Sequence, residues 1–380
     1  MSAIQTINKK LAGFLCLAFL AGPTSAWADY ALNMTKGVTK ISEEVYDLHM
    51  LVLIICTVVG IGVFGVIIYS LINHRKSKGA VAAQFHESTT VEVIWTTIPL
   101  VILILIAIPA TGTLLKIEDS SDADVTIKVT GWQWKWQYDY LDENVSFFSS
   151  LSEASNKARQ RDSGINVYDV KHYLLSVNEP IVVPVNKKVR ILTTSNDVIH
   201  AWWVPALGLK RDAIPGYINE SWFKAEKTGT YRGQCAELCG KDHGFMPIVV
   251  EVVDQDKYKQ WVVAKQEQAI AEAAASGKAM SKSELMARGE KVYKGNCMAC
   301  HQDKGQGLPP MFPALAGSKI ATGPVKAHMD IVIHGKPGTA MQAFAQQLND
   351  ADLAAVITYE RNSWGNSAGM VQPSDVKAAR

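Results

Sequence analysis

Twelve consecutive residues, Cys235-Ala236-Glu237-Leu238-Cys239-Gly240-Lys241-Asp242-His243-Gly244-Phe245-Met246, carry two thiols, an imidazole and a thioether. Thiolate, thioether and imidazole together suit copper, whereas a structural zinc site has little use for Met246. A further strong donor must come from elsewhere in the chain, and His200, which follows the extended segment Val189 to Val198, is the candidate. Two thiolates can bridge two coppers, with His200 and His243 each capping one and with Met246 and the backbone carbonyl of Glu237 as weak outer donors. Metals held in this way would share one electron inside a rigid cage and act as an electron relay. On ligand types alone, a zinc knuckle or a disulfide between Cys235 and Cys239 stays open.

A second constellation stands further along. Cys297-Met298-Ala299-Cys300-His301 has the spacing that attaches a c-type haem: two thiols form thioethers to the porphyrin and the adjacent imidazole reaches the iron. A redox dithiol or a zinc half-site is the competing reading. Met311, Met329, Met341, His328 and His334 all qualify by type as the second axial ligand. Met341 is favoured because Gly338-Thr339-Ala340-Met341-Gln342-Ala343-Phe344 lies just before the last helix expected in the module, as in similar single-haem domains. The flanking pattern predicts an amphipathic helix from Lys282 to Lys294 and another, capped by Asn349, running to about Arg361.

The elements that must position these groups are legible in turn. Met50 to Ile72 and Val93 to Leu115 are each 23 residues long without a charge, enough to cross a bilayer as helices. His74, Arg75, Lys76 and Lys78 in the connection mark the cytoplasmic side, so both long flanks lie outside. Residues 1–28 read as a secretory signal, with Lys9 and Lys10 before the apolar run Leu11 to Ala21 and a cleavage site at Ala26-Trp27-Ala28. An exported metal loop and haem motif on a membrane anchor point to the periplasmic face of a Gram-negative inner membrane. Beyond the membrane, Val125 to Tyr140 reads as one strand, with Trp132, Trp134, Trp136 and Tyr138 on one face by period-two alternation. Asn144 to Asp169 reads as a surface excursion. Strands follow at Tyr173 to Val177, Ile181 to Val185, Val189 to Thr194, Trp222 to Ala225, Thr230 to Gly233 and Ile248 to Val253, the pattern of a Greek-key sandwich. Residues 255–282 read as a linker, helical only in part, and 367–380 as a flexible tail.

Composition sets the outer bounds. The chain has 380 residues with 48% hydrophobic content, too long for one small domain, and its net charge of +2 gives no polyanionic partner such as nucleic acid. Its six cysteines are too few for a disulfide scaffold; besides the two motifs they are Cys16 and Cys56. From Ser283 to Asn366 there are eight Lys and Arg against seven Asp and Glu, so the haem module lacks the basic face of a diffusing donor. A covalent tether makes such steering less necessary.

His200, the Cys235 to Met246 loop and the upstream Ala213-Ile214-Pro215-Gly216 resemble subunit II of the haem-copper cytochrome c oxidases, over roughly Leu48 to Val253. With the C-terminal haem motif, the whole is similar to the caa-type oxidases, whose subunit II is fused to cytochrome c. The resemblance implies a multidomain chain: a two-helix transmembrane hairpin (29–116), an all-β cupredoxin-like Greek-key sandwich (117–254) and an all-α class I cytochrome c-like domain (283–366). It implies a dinuclear copper A centre on His200, Cys235, Glu237, Cys239, His243 and Met246, and covalent haem c on Cys297 and Cys300 with His301 and Met341 at the iron. By the same resemblance, Trp134 admits electrons to the copper, and Glu92, in Val91-Glu92-Val93-Ile94-Trp95, stands at the entrance of a proton channel into subunit I. Glu237 would also help bind magnesium or manganese at that interface, and Pro309-Pro310 would support the proximal His301. Electrons would come from a soluble cytochrome c or a quinol–cytochrome c reductase and pass through haem c and copper A to subunit I, where oxygen is reduced and protons are translocated; other oxidase subunits and membrane lipid complete the partners. An exported copper-delivery protein with an accessory haem is the alternative.

Overall fold

The computed structural model describes residues 33–160, 163–275 and 277–380, so the expected signal segment lies outside the described residues. The two charge-free runs form helices α1 (Lys40–Asn73) and α2 (Thr89–Glu118). Both are longer than their apolar stretches. At about 1.5 Å per residue, the 34-residue α1 extends to roughly 50 Å, well beyond a hydrocarbon layer of ~30 Å. The surplus turns hold the hairpin to the domain beyond the membrane. Thr39 caps α1 in a reciprocal box with Ser42 and donates its hydroxyl to the Leu207 carbonyl, while Lys116 of α2 pairs with Glu44 of α1 at 2.8 Å.

Ten strands follow: β1 (Val125–Trp132), β2 (Lys135–Tyr140), β3 (Val145–Ser149), β4 (Ile181–Pro184), β5 (Val189–Ser195), β6 (His200–Val204), β7 (Leu209–Ala213), β8 (Asn219–Phe223), β9 (Gly229–Cys235) and β10 (Pro247–Val253). They form two five-stranded sheets, ordered β3-β2-β1-β5-β8 and β4-β10-β9-β6-β7. Alternation along β5 and β2 turns Val189, Ile191, Trp136, Tyr138 and Tyr140 inward onto Ile181, Trp202, Ile248 and Val250 of the facing sheet. A cupredoxin-like sandwich results.

Several expected elements take another form. The single strand from Val125 to Tyr140 is a tight hairpin, with Trp132 opposite Lys135 and Gln133-Trp134 at the turn. Period-two alternation breaks there: Trp136 and Tyr138 face the core, Trp132, paired with Lys135, lies on the opposite face of the sheet, and Trp134 sits in the turn. Tyr173 to Val177 contributes only an isolated bridge, Val177 to Leu151. His200 does not end the preceding strand but opens β6, paired with Ala213 of β7. The excursion from Asn144 contains β3 and a short helix, α3 (Glu153–Ala158), with Ser155, Asn156 and Ala158 buried.

The expected linker is mostly one helix, α4 (Gln255–Ala275). Tyr258, Trp261 and Val262, at i, i+3 and i+4, form an apolar stripe that packs on the sandwich, and the Tyr258 hydroxyl donates to Glu143 at 2.6 Å. The C-terminal module is helical: α5 (Lys282–Asn296), α6 (Met298–His301), α7 (Lys319–Thr322), α8 (Val325–His334), α9 (Asp350–Asn362) and α10 (Pro373–Ala379). Helix α10 corrects the flexible tail. Val371 and Val376 are fully buried in the module's core, Thr358 and Val371 exchange hydrogen bonds, and Gln372 bonds both the N–H and the C=O of Met280. Val371 and Val376, five residues apart in a mostly polar and small-residue stretch, give too weak a period to read, but each fills a core position. Truncation after Met370 is expected to cost the helical module about 3–6 kcal/mol, from two buried valines at ~1.5–3 kcal/mol each; an unchanged denaturant midpoint would show the tail to be dispensable.

Candidate metal centre and haem motif

The sandwich brings His200 to the cysteine loop. Strand β6 starts with His200 and pairs with β9, which ends at Cys235, in the register Trp202 to Cys235. His200 and Cys235 are thereby placed side by side although 35 residues apart, with Cys235 Sγ 4.0 Å from His200 Nδ1. The two sulfurs, of Cys235 and Cys239, are 3.8 Å apart. Cys239 Sγ is 3.5 Å from both His243 Nδ1 and Met246 Sδ, and Cys235 Sγ is 3.3 Å from the Glu237 carbonyl. His200, Cys235 and Cys239 are buried and their donor atoms lie within 4.8 Å of one another, a set of soft and imidazole donors that a cation could bridge. Cys235 and Cys239 are free thiols here, not a disulfide.

The thiols are electrostatically unequal. Hydrogen bonds from Cys239 and His200 and from nearby backbone hold the Cys235 thiol far below its ordinary range, against the cost of burial. Cys239 is pushed up by its bond to Cys235, by burial and by the charge on Cys235. One thiolate therefore forms readily and the second resists, as expected of two negative charges in one buried site with no cation between them.

Neighbouring groups fix this cluster. Asp197 Oδ1 sits 2.8 Å from His200 Nε2, which leaves Nδ1 to face the sulfurs. Burial draws the His200 pKa down, but the bonds to Asp197 and Cys235 outweigh it and leave the imidazole above its usual value. Gly131 keeps the slot open: a Cβ there would lie 2.6 Å from the His200 ring. On the loop, Gly240 has φ +113° and lets the Trp134 indole approach closely. Trp134 is half-buried, and its indole N–H donates to the Cys239 carbonyl at 3.1 Å. Arg159, just after α3, forms a buried ion pair with Asp242 at 3.1 Å and lies over the Phe245 ring, bracing the loop on either side of His243. Glu237 projects an exposed carboxylate from the same loop. Glu92 lies elsewhere, exposed in the first turn of α2.

In the helical module, His301 Nδ1 bonds the carbonyl of Pro313 at 2.9 Å, so the other ring nitrogen is free for an axial bond. The supporting proline is thus Pro313 rather than Pro309-Pro310. Cys297 and Met341 pack against the same apolar cluster. The other ligand candidates are otherwise engaged or misplaced: His328 bonds the buried Glu360, His334 bonds Asp330, Met329 is core and Met311 is exposed. Asp197, Gly131 and Arg159 escaped the sequence reading. Only Asp197, three residues before His200, left a local signal.

A cupredoxin-like sandwich anchored by two membrane-length helices and followed by a cytochrome module defines a membrane-bound redox subunit. Residues 27–112 match the family described as cytochrome c oxidase subunit II, transmembrane domain, and residues 125–253 its periplasmic domain. Residues 284–359 match cytochrome c oxidase, cbb3-type, subunit III. A probable cytochrome c oxidase subunit 2 of Rickettsia bellii is 41% identical over 62% of this chain and 84% of its own length. Cytochrome c oxidase subunit 2 of Cereibacter sphaeroides is 37% identical over 58% and 76%. The crystal structure of the periplasmic domain of subunit II of cytochrome oxidase from Bradyrhizobium japonicum is 45% identical, covering 39% of this chain and 98% of its own, with a TM-score of 0.35. The chain belongs to the cytochrome c oxidase subunit II family and carries a C-terminal cytochrome c domain. It is part of an oxidoreductase complex, a two-pass membrane protein whose sandwich implies copper A and whose helical module implies haem.

Asp197→Asn is expected to weaken copper retention about 10- to 100-fold while leaving the sandwich folded, measured by competition with a chelator. Gly131→Ala is expected to displace the His200 ring and lose copper more completely; full copper loading of this variant would show that the ring has room to move.

Proposed function

We propose that this chain takes electrons onto its own haem c and hands them through copper A to subunit I, where oxygen is reduced to water and protons are translocated. The observation that carries the reading is a buried cluster in which the donor atoms of His200, Cys235 and Cys239 lie within 4.8 Å of one another, with His243 Nδ1 and Met246 Sδ each 3.5 Å from Cys239 Sγ and the Glu237 carbonyl 3.3 Å from Cys235 Sγ. Copper bound there would supply a one-electron relay with little rearrangement between redox states. Cys235, Cys239, His200 and His243 would hold it, with the Asp197 carboxylate and the Arg159–Asp242 pair keeping their cage from relaxing.

The other roles are assigned on the family resemblance, and where each residue lies is compatible with them. Cys297 and Cys300 would hold the porphyrin covalently, and His301, held by Pro313, and Met341 would be the ligands to its iron. Trp134, bonded to the Cys239 carbonyl, passes electrons toward the copper. The exposed Glu237 carboxylate, next to the exposed Leu238, is offered to subunit I and to a magnesium or manganese ion there. Glu92, in the first turn of α2, takes up protons at the cytoplasmic mouth. Basic residues between the helices keep that connection inside and put both redox domains in the periplasm, facing a donor cytochrome or reductase.

Metal and haem analysis of the full chain is expected to give two coppers per covalently bound haem, with an electron paramagnetic resonance signal from one electron shared over both coppers. Cys239→Ser is expected to abolish that shared signal. One copper, or zinc, in the unsubstituted chain would sink the assignment. Met341→Ala is expected to leave the haem covalently bound while removing the spectral marks of methionine ligation; their persistence would move the distal ligand elsewhere.

A further inference from the structure

The contacts between the helical module and the sandwich include both cofactor loops, with α3 beside them. On the sandwich they involve Gln133, Lys135, Asn156 and Lys241, at the β1–β2 turn, on α3 and in the cysteine loop. On the module they involve the backbone and side chains around the haem motif and beside Met341. Gln342 Nε2 donates to the Gln133 carbonyl at 2.7 Å. Lys135 Nζ donates to Asn296 Oδ1 at 2.8 Å, one residue before Cys297. Lys241 Nζ donates to the Ala299 carbonyl at 3.1 Å, between the two haem cysteines, and Asn156 Nδ2 donates to the Lys294 carbonyl at 2.9 Å. Between the domains lies a cavity of about 60 Å³, lined by Trp134, Lys135, Cys300 and Gln342 among others.

Lys135 is the telling residue. It is 5% exposed, follows Trp134 directly, and has its ammonium over the rings of Phe148 of the sandwich and Phe344 of the module. A lysine on the surface of a sandwich would ordinarily reach into water; this one is covered by the other domain. Burial pushes its pKa down to about 7. Gln133 is tied to the copper side at two points: its side chain donates to the Cys239 carbonyl at 3.0 Å and its backbone N–H donates to Asp197 Oδ2 at 2.7 Å, and Asp197 in turn bonds His200. A bonded path thus runs Met341–Gln342···Gln133···Cys239, independent of the Trp134 ring.

We propose that the Gln133–Trp134–Lys135 ridge is the seat of this chain's own haem domain, and that the Gln342–Gln133 hydrogen bond is the electron contact between the two centres. The inference rests on the functional reading above. In each transfer one electron leaves ferrous haem, which becomes ferric, and reduces the oxidised copper pair to its all-cuprous state; no proton moves. A consequence is directional: the ridge is closed to an external cytochrome, so soluble donors reduce the haem domain and not the copper directly. Lys135 and Gln342 are positioning residues, since an electron crossing a hydrogen bond tunnels more readily than one crossing an open gap.

The test uses the complete oxidase with Gln342→Leu and Lys135→Met, after photoreduction of haem c. Haem-to-copper transfer is expected to slow ~10- to 100-fold, with the absorption and paramagnetic spectra of both centres unchanged. Amide hydrogen exchange at residues 133–135 and 341–344 is expected to rise, and Lys135→Arg to restore both readouts in part. Transfer within twofold of the unsubstituted rate, with exchange protection intact in both variants, would overturn the docking inference and leave the functional reading standing. Absence of either cofactor's spectrum from the unsubstituted oxidase would instead defeat that reading and the inference with it.

Discussion

Two sulfur atoms 3.8 Å apart in a buried loop are the constraint on which the rest of the molecule depends. Without a cation the pair holds on to a proton, because two thiolates so close repel each other strongly in a medium of low polarity. With copper between them the same proximity becomes an asset. The protein must therefore prevent the loop from relaxing in either condition. It does so from outside the loop: β6 and β9 fix His200 against Cys235, Trp136 donates to the Met246 carbonyl at 3.3 Å, and the Arg159–Asp242 pair holds the turn before His243. Removing one partner of such a buried pair costs more than the pair itself contributes, so either single substitution would loosen the loop.

The aromatic cluster follows from the same requirement. Trp136, Tyr138 and Trp202 are fully buried beneath the site, and the Trp202 N–H donates to the Tyr138 hydroxyl at 3.2 Å. These rings fill the sandwich with rigid side chains that keep their polar atoms paired. Trp134 differs because the β1–β2 turn places it half-exposed against the Cys239 carbonyl. One short hairpin thus supplies both the floor of the metal site and its outer contact, and the helical module is seated on that contact.

Tethering explains the chemistry of the module's surface. Its charges nearly balance, and its bonds to the sandwich are mostly side chain to backbone carbonyl, which reward one fixed pose. A diffusing partner gains from long-range charge; a linked one gains from local complementarity. Helix α4, anchored through Tyr258 and Trp261, sets where the connection leaves the sandwich.

The sequence by itself determined the chemistry that is local. The loop from Cys235 to Met246, the motif from Cys297 to His301 and the two charge-free runs each carry their meaning in spacing of a few residues or in plain apolar length. The clear alternation of β5, the short apolar run of β10 and the Asn349 cap were legible for the same reason. Tertiary structure alone decided what depends on distant partners. Gln133 meets Cys239 across 106 positions and Lys135 meets Asn296 across 161, so no window on the sequence contains both members of either pair. The turn at Gln133-Trp134 interrupts an alternation that reads as one strand, and the C-terminal helix is held by core positions of another segment rather than by its own period. Short-range spacing encodes which atoms can bind; only the closed sandwich and the docked module decide which of them meet.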